Sequence, residues 1–474
     1  MLKRQITMIV LSAGITAGIP SFAGVRIDTD LRIELNHADG VYAAGDTVIV
    51  SAIPIGDYDK SLEMTVYENG IRLLTTPVGR VDAPRTLYTD RRGKPVAVML
   101  EFRPEGTTPR EHYFNVDQSE DAFRIGYVVA PDGFEPGFKA PSDLHRYWDS
   151  QIRKLRRRPM EAQVRPVVLD DDIARHTECY EVTVSSIDSI PVRGYVAKPR
   201  DAAPGTLPIL IKFHSAGVAG LWCRAKAGDA VELSEMGAIV FDFNAHGMLN
   251  DADEEYYREL ENGRLLDYSG RPLESREDYY FRTMILRAVR GLDYITRDPA
   301  WDGERVMVMG GSQGGAQSVA LAGIDSRVTD VVVTVPAMVG NGGALLGRND
   351  AWPWPLEHSG IQTPTSPYMN SQEFPATARS ARRVLEIAPY FDCALLAGGC
   401  KASFFVEIGL VDTCCPPSEV FSGINVIAGP VQVVTCPYRN HWEARVPEQY
   451  KDWWRTNVNN PRLKYIEQHL GAKR

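Results

Sequence analysis

From residue 24 to about 130, apolar residues fall at every second position in short runs. Residues 47–52, 62–66, 96–100 and 123–128 show it best, with Val48, Val50 and Ala52 in the first run and Phe123, Ile125 and Tyr127 in the last. A period of two describes a half-buried strand, since successive side chains leave opposite faces. Turn residues separate the runs, among them Ala44-Gly45-Asp46 and Glu68-Asn69-Gly70. Short strands without helical spacing predict a small all-β sandwich of immunoglobulin-like size over residues 24–132. Pro131-Asp132-Gly133 and Pro136-Gly137 read as a linker after it.

Beyond the linker the period changes. Leu144, Trp148, Ile152 and Leu155 recur at helical spacing, as do Met284, Ala288, Leu292 and Ile295. Residues 180–184 and 192–197 read as an antiparallel opening pair. Near-continuous apolar runs follow at 209–213, 238–241, 306–309, 331–335, 404–408 and 431–434. A strand apolar on both sides belongs in a parallel sheet covered on both faces. The fold class expected for residues 133–474 is therefore α/β, a doubly wound and mostly parallel sheet.

Composition changes this picture little at first. The chain has 474 residues, 44% hydrophobic and 24% charged, as an ordinary globular protein does. Residues 1–23 are a different matter. Lys3 and Arg4, an apolar stretch from Ile6 and the small-x-small run Ser21-Phe22-Ala23 read as an export signal ending before Gly24. Removing Lys3 and Arg4 takes the net charge from −9 to −11. That acidic balance argues against nucleic acid or an anionic membrane as partner. No later run approaches the roughly 18 apolar residues of a membrane span. The chain is expected to be exported, periplasmic or secreted. Of its seven cysteines, Cys393 and Cys400 flank a short loop and are the best candidates for a disulfide. No Cys/His spacing suggests zinc, and no cofactor or metal is expected.

The strongest chemical signal is Gly310-Gly311-Ser312-Gln313-Gly314-Gly315, between the apolar run ending at Met309 and a helical stretch at 316–322. A G-x-S-x-G turn from strand to helix holds a serine hydroxyl clear of the sheet edge. A serine is a poor nucleophile without a base and a group that orients the base. Asp412 follows the run 404–408, and His441 follows 431–434. His441 is also the only histidine between His358 and His469. Ser, Asp, His is the chain order that this strand–turn–helix context calls for. The expected roles are Ser312 as nucleophile, His441 as base and then acid, and Asp412 as holder of the imidazole tautomer. The plainer readings are a turn aspartate and a solvated loop histidine. For the oxyanion, the backbone N–H of Gln313 and that of Ala216, in the loop His214-Ser-Ala-Gly217, are the expected donors. His214 itself reads as a packed side chain.

Several motifs in order resemble the acetyl xylan esterase and cephalosporin-C deacetylase family. They are Phe213-His214, Tyr279-Tyr280-Phe281-Arg282, Gly310 to Gly315, the stretch Gly409-Leu-Val-Asp-Thr-Cys-Cys-Pro-Pro-Ser418, Ile427-Ala-Gly-Pro430, and Pro437-Tyr438 through to His441. The resemblance covers about residues 136–470. It implies an α/β-hydrolase fold, a metal-free serine mechanism using Ser312, Asp412 and His441, and removal of acetyl groups from xylose-containing or other small sugars. Two departures stand out. Where the family carries Arg-Gly-Gln, this chain has Asn244-Ala245-His246-Gly247; where it has Gly-Tyr, this chain has Ser215-Ala216.

Trp352 and Trp354 lie in a Pro/Gly-rich stretch where such folds place pocket-covering inserts, so they are candidates for stacking on a sugar, with core packing as the alternative. The acidic stretch 250–261 is either a lid or a solvated insertion. The expected partner is an acetylated oligo- or polysaccharide, and a homo-oligomer is possible. Two other functions fit a serine hydrolase fold: cleavage of another ester or a peptide bond, and glycan binding without catalysis. The β-sandwich reads as separable, so its loss is expected to spare small-ester hydrolysis.

Overall fold

The computed structural model describes residues 30–107, 122–270, 273–359, 361, 378–442 and 446–471. The export-signal stretch 1–23 lies outside them. The chain forms two units fused along the edge that carries the chemistry.

Among the described residues the N-terminal unit has eight strands: β1 (Leu31–Leu35), β2 (Val41–Tyr42), β3 (Thr47–Pro54), β4 (Leu62–Glu68), β5 (Ile71–Gly79), β6 (Arg85–Arg91), β7 (Val96–Pro104) and β8 (Phe123–Val129). They build a three-stranded sheet in the order β1-β3-β6 and a five-stranded sheet in the order β2-β8-β7-β4-β5. The alternation seen in the sequence is what joins the sheets. Ile33, Val48 and Val50 from one pack with Val66, Leu100 and Ile125 from the other in a single core. β5 has no such alternation; its Arg72-Leu-Leu-Thr75 faces solvent at every position, so its strand is legible only through pairing with β4.

The second unit is a nine-stranded sheet. Its strands are β9 (Ala162–Pro166), β10 (Thr177–Val184), β11 (Val192–Pro199), β12 (Leu207–Phe213), β13 (Ile239–Asn244), β14 (Trp301–Gly311), β15 (Asp330–Thr334), β16 (Ser403–Gly409) and β17 (Val431–Cys436). They lie in the order β17-β16-β15-β14-β12-β13-β11-β10-β9. β12 to β17 are mutually parallel, and β9 to β11 complete the sheet antiparallel. Both faces are buried, and parity shows it. Ile209, Ile211, Phe241, Val308, Val333 and Val406 face one core with the helices Leu144–Arg156, Tyr280–Ile295 and Gln313–Ile324. The residues between them, Leu210, Val240, Met307, Val332 and Phe405, face a second core with Ala227–Ser234 and Asn460–Leu470.

Two expectations need correction. Cys393 and Cys400 are not joined, and all seven cysteines are free and buried. The Cys393 thiol points at the carbonyl of Ala316 and the Cys400 thiol at that of Ala322. Those carbonyls are six residues apart on one helix, ~9 Å along its axis, so the sulfurs serve different turns. The stretch after residue 130 is also no free linker. Pro131–Gly133 is a 3₁₀ turn, and the Asn425 side chain donates to the carbonyls of Pro131 and Phe134 at 2.9 and 3.0 Å. A Cβ on Gly137 would sit 1.7 Å from the Gly342 carbonyl oxygen, so backbone meets backbone there.

The β unit reaches further into the second unit than its chain length suggests. Its core takes in Cys436, Tyr438, Val446, Tyr450, Trp454 and Val458 from the C-terminal segment. Tyr438 and Tyr450 stack at 3.8 Å, and the Tyr450 hydroxyl donates to the Ile33 carbonyl at 2.8 Å. The N–H of Gly126 on β8 donates to Pro437, and a Cβ there would meet the Leu410 carbonyl at 2.2 Å. Among the described residues, no helix is long and apolar enough to cross a membrane.

Candidate active site

Ser312 sits on the turn between β14 and the helix Gln313–Ile324, with φ 52 and ψ −121. A positive φ is costly for a residue with a Cβ, so the surroundings must impose it. They do so by crowding that only glycine admits. A Cβ on Gly310 would lie 2.6 Å from the backbone of Gly314, and a Cβ on Gly314 2.6 Å from the carbonyl of Phe213 on β12. The Ser312 N–H donates to Thr334 at 3.1 Å, and its carbonyl accepts from Ala337 at 3.0 Å.

β16 delivers Asp412 and β17 delivers His441 to the same end of the sheet. The His441 Nδ1–H donates to Asp412 Oδ2 at 2.9 Å, and the Ser312 hydroxyl donates to His441 Nε2 at 2.9 Å. The other Asp412 oxygen accepts from the backbone N–H groups of Cys414 and Cys415 at 2.8 and 2.9 Å. Ser312 and Asp412 are almost wholly buried. Burial pulls the His441 imidazole down, but the Asp412 carboxylate and Cys414 hold it well above its ordinary value. Burial works against ionisation of the Cys414 thiol, yet Cys415 and His441 bring it down to about 7. Cys414, Cys415 and His441 have ligand atoms within 4.8 Å of one another, which no Cys/His spacing predicts. Both imidazole nitrogens are already committed to Ser312 and Asp412, so a soft cation could enter only by breaking those bonds.

The loop carrying Ala216 lies against the serine turn. The Ser215 hydroxyl donates to the Gly311 carbonyl at 3.3 Å. The Tyr268 hydroxyl accepts from the Gly217 N–H at 3.3 Å and donates to the Gln313 side-chain oxygen at 2.6 Å, bridging the two segments named as oxyanion donors. His246, in the departed Asn244-Ala-His-Gly247 motif, supports the other side of Gly217. Its Nε2 bonds the Gly217 carbonyl at 3.0 Å and its Nδ1 bonds the Tyr280 hydroxyl. Burial and Arg287 pull that imidazole down to about 3, which keeps it neutral, donating at Nε2 and accepting at Nδ1. Tyr280 stands in the motif Tyr279-Tyr280-Phe281-Arg282; Tyr268 was missed because a lone tyrosine carries no spacing signal. His214 is packed beneath the loop against Asp242.

The tryptophans divide differently. Trp352 is buried, with its ring edge-on to Phe281 at 5.6 Å, so it offers no platform to a ligand, and Trp354 is half-buried on the same core. Packing accounts for both. The exposed indoles are Trp222 and Trp442. The acidic stretch forms a docked helix, Glu254–Asn262, capped by the Asp253 side chain. Arg224 pairs with Glu254 at 2.8 Å and lies 3.5 Å over the Tyr257 ring.

Comparison with known proteins agrees with this architecture. The acetyl xylan esterase (AXE1) family pattern matches residues 133–352 and 353–459. Acetyl esterase Axe7A of Xylanibacter ruminicola is 26% identical over 420 residues, covering 86% of this chain and 85% of that protein. Among solved structures, an acetyl xylan esterase from Paenibacillus sp. R4 superposes with a TM-score of 0.55 at 22% identity, over 72% of this chain and 98% of its own. Acetyl xylan esterase 1 from Thermoanaerobacterium sp. JW/SL YS485 gives 0.51 at 20% identity, over 69% and 96%. These two show the α/β-hydrolase fold. The match to Axe7A extends over more of the chain than they cover, and so reaches into the β unit. With its pattern matched across most of its length, the chain belongs to the acetyl xylan esterase family.

Proposed function

We propose that the protein is an exported serine esterase that removes acetyl groups from xylo-oligosaccharides or related acetylated sugars. The observation that carries this reading is the relay from Ser312 through His441 to Asp412, two bonds of 2.9 Å joining three strand ends. Ser312 Oγ attacks the acetyl carbonyl while His441 Nε2 takes its proton. The Asp412 carboxylate, fixed by two backbone donors, holds the imidazole in the tautomer that leaves Nε2 free to accept. The carbonyl oxygen gains charge opposite the N–H of Gln313, at the start of its helix, and that of Ala216. His441 then returns the proton to the sugar oxygen, the sugar leaves, and water repeats the sequence on the acetyl-serine to release acetate. Family membership and the acetyl esterase relative support the acyl group and the sugar class. The leader-like residues 1–23 support export; a mature protein beginning at Gly24 outside the cytoplasm is the expected finding, and retention of Met1 would contradict it.

Acetate release from acetylated xylo-oligosaccharides is the test, with Ser312→Ala beside the wild type. A loss of roughly a thousandfold or more is expected. Intact oligosaccharides beside rapid cleavage of vinyl acetate would leave the machinery standing and remove the sugar.

A further inference from the structure

Two indoles stand exposed at the mouth of the site, on two segments far apart in sequence. Trp222 is 36% exposed and Trp442 41% exposed. Their rings approach at 6.5 Å and are nearly perpendicular, at 84°. Each is tied to the machinery. The Trp222 Nε1–H donates to the Ala216 carbonyl at 2.9 Å, and the Trp222 carbonyl bonds His214 Nδ1 at 3.3 Å. Trp442 follows His441 directly, its ring 5.7 Å from the imidazole, with its backbone N–H held by Asn440 at 2.7 Å. Tryptophans are ordinarily well buried, so two adjacent ones left open beside a reacting serine point to a surface covered by something else.

We infer that Trp222 and Trp442 form the subsite for the sugar ring that bears the departing oxygen; this rests on the esterase reading above. The direction of proton flow makes the assignment. His441 gives its proton to the leaving alkoxide, so the alcohol portion of the substrate lies on the His441 side, where Trp442 stands, and the acetyl group lies toward the Gln313 and Ala216 donors. An indole is flat and apolar with one polar edge, and a pyranose presents C–H groups on its face and hydroxyls at its rim. The Trp222 polar edge is spent on Ala216, which leaves its apolar surface for the ring. The subsite therefore selects the alcohol, a neutral sugar, and makes no contact with the acyl chain.

Trp442→Ala and Trp442→Phe test this in the full chain, because Trp222→Ala would also release Ala216. The measurement is KM for acetylated xylotriose against KM for vinyl acetate, which has no ring. Trp442→Ala is expected to raise the first about tenfold more than the second, with Trp442→Phe restoring most of the difference. Equal changes on both substrates, or none, would overturn the subsite. A second readout does not depend on turnover: quenching of tryptophan fluorescence by unacetylated xylotriose in the Ser312→Ala protein. Quenching that Trp442→Ala abolishes supports the subsite even if no acetate is released from sugars, and in that case the esterase reading alone falls. Acetate release without quenching, and with unaltered KM in Trp442→Ala, overturns the subsite alone.

Discussion

Tyr268 joins two segments of this site through a single hydroxyl. One hydroxyl holds both the Gln313 side chain and the Gly217 N–H, so it sets the spacing of the two segments proposed to face the oxyanion. Tyr268→Phe is expected to lower kcat about tenfold with little change in KM, against the ~10²–10³ that loss of a direct oxyanion donor costs. A pure rise in KM, or a protein that melts much earlier with normal kcat, would mean the bridge is structural only. His441 gives a second prediction. Its charged form is favoured, and in the proposed mechanism only the neutral form accepts the serine proton, so activity is expected to be lost as pH falls through the raised imidazole value. The acid limb of kcat/KM therefore lies above pH 6.5. Cys414 contributes to that stabilisation, so Cys414→Ala is expected to move the limb to lower pH; a pH–rate profile that stays put would refute the coupling. Ser312, Asp412 and His441 were legible because strand ends and chain order locate them. Tyr268 and Trp442 were not, since their roles arise from which loops the fold sets side by side.

At the scale of elements, β16 does two jobs. Its end carries Asp412, and its middle carries Glu407, wholly buried and bound by three partners. Arg439, two residues before His441, donates to one carboxylate oxygen, joined there by the Trp454 indole at 3.3 Å. Arg462 of the last helix donates to the other at 3.0 Å. Burial disfavours the Glu407 charge, but the two guanidiniums win and hold its carboxyl below the usual range. That linkage stabilises the fold above the unfolded glutamate range and is lost as pH falls into the acid region. Glu407→Ala would remove the buried carboxylate that Arg439 and Arg462 share and is expected to cost about 3–5 kcal/mol. Urea unfolding checks it; a shift under ~1 kcal/mol would show that the arginines find other partners. The apolar runs of β12, β13, β15 and β16 were readable because burial on both faces leaves a continuous hydrophobic signature, whereas β17 lies at the sheet edge with Val431 to Val434 half-buried or exposed. β5 and β9 were not: every position of β9 is exposed, and no pattern marks a strand that buries nothing.

Across the whole molecule, the β unit is part of the floor beneath the loops that carry Asp412 and His441 rather than a detachable module. Gly40 and Gly126 press against Leu410 and Pro437, and Tyr67 and Met99 pack on Val411, so the segments leading to Asp412 and His441 both rest on it. This reverses the expectation of separability. Deleting residues 24–132 is expected to expose Tyr438, Tyr450 and Trp454 and to abolish vinyl acetate hydrolysis together with cooperative melting; a truncated protein that melts cooperatively at full activity would show the contact to be dispensable. The sequence by itself determined the two periodicities, hence a β unit followed by a doubly wound sheet. It also determined the serine turn, because local sterics and the order of strand ends are written along the chain. Only the tertiary structure decided that Cys393 and Cys400 stay apart, that Trp352 is core while Trp222 and Trp442 are surface, and that the C-terminal segment completes the core of the β unit. Those outcomes depend on contacts between segments tens to hundreds of residues apart, and no local pattern encodes a distance of that kind.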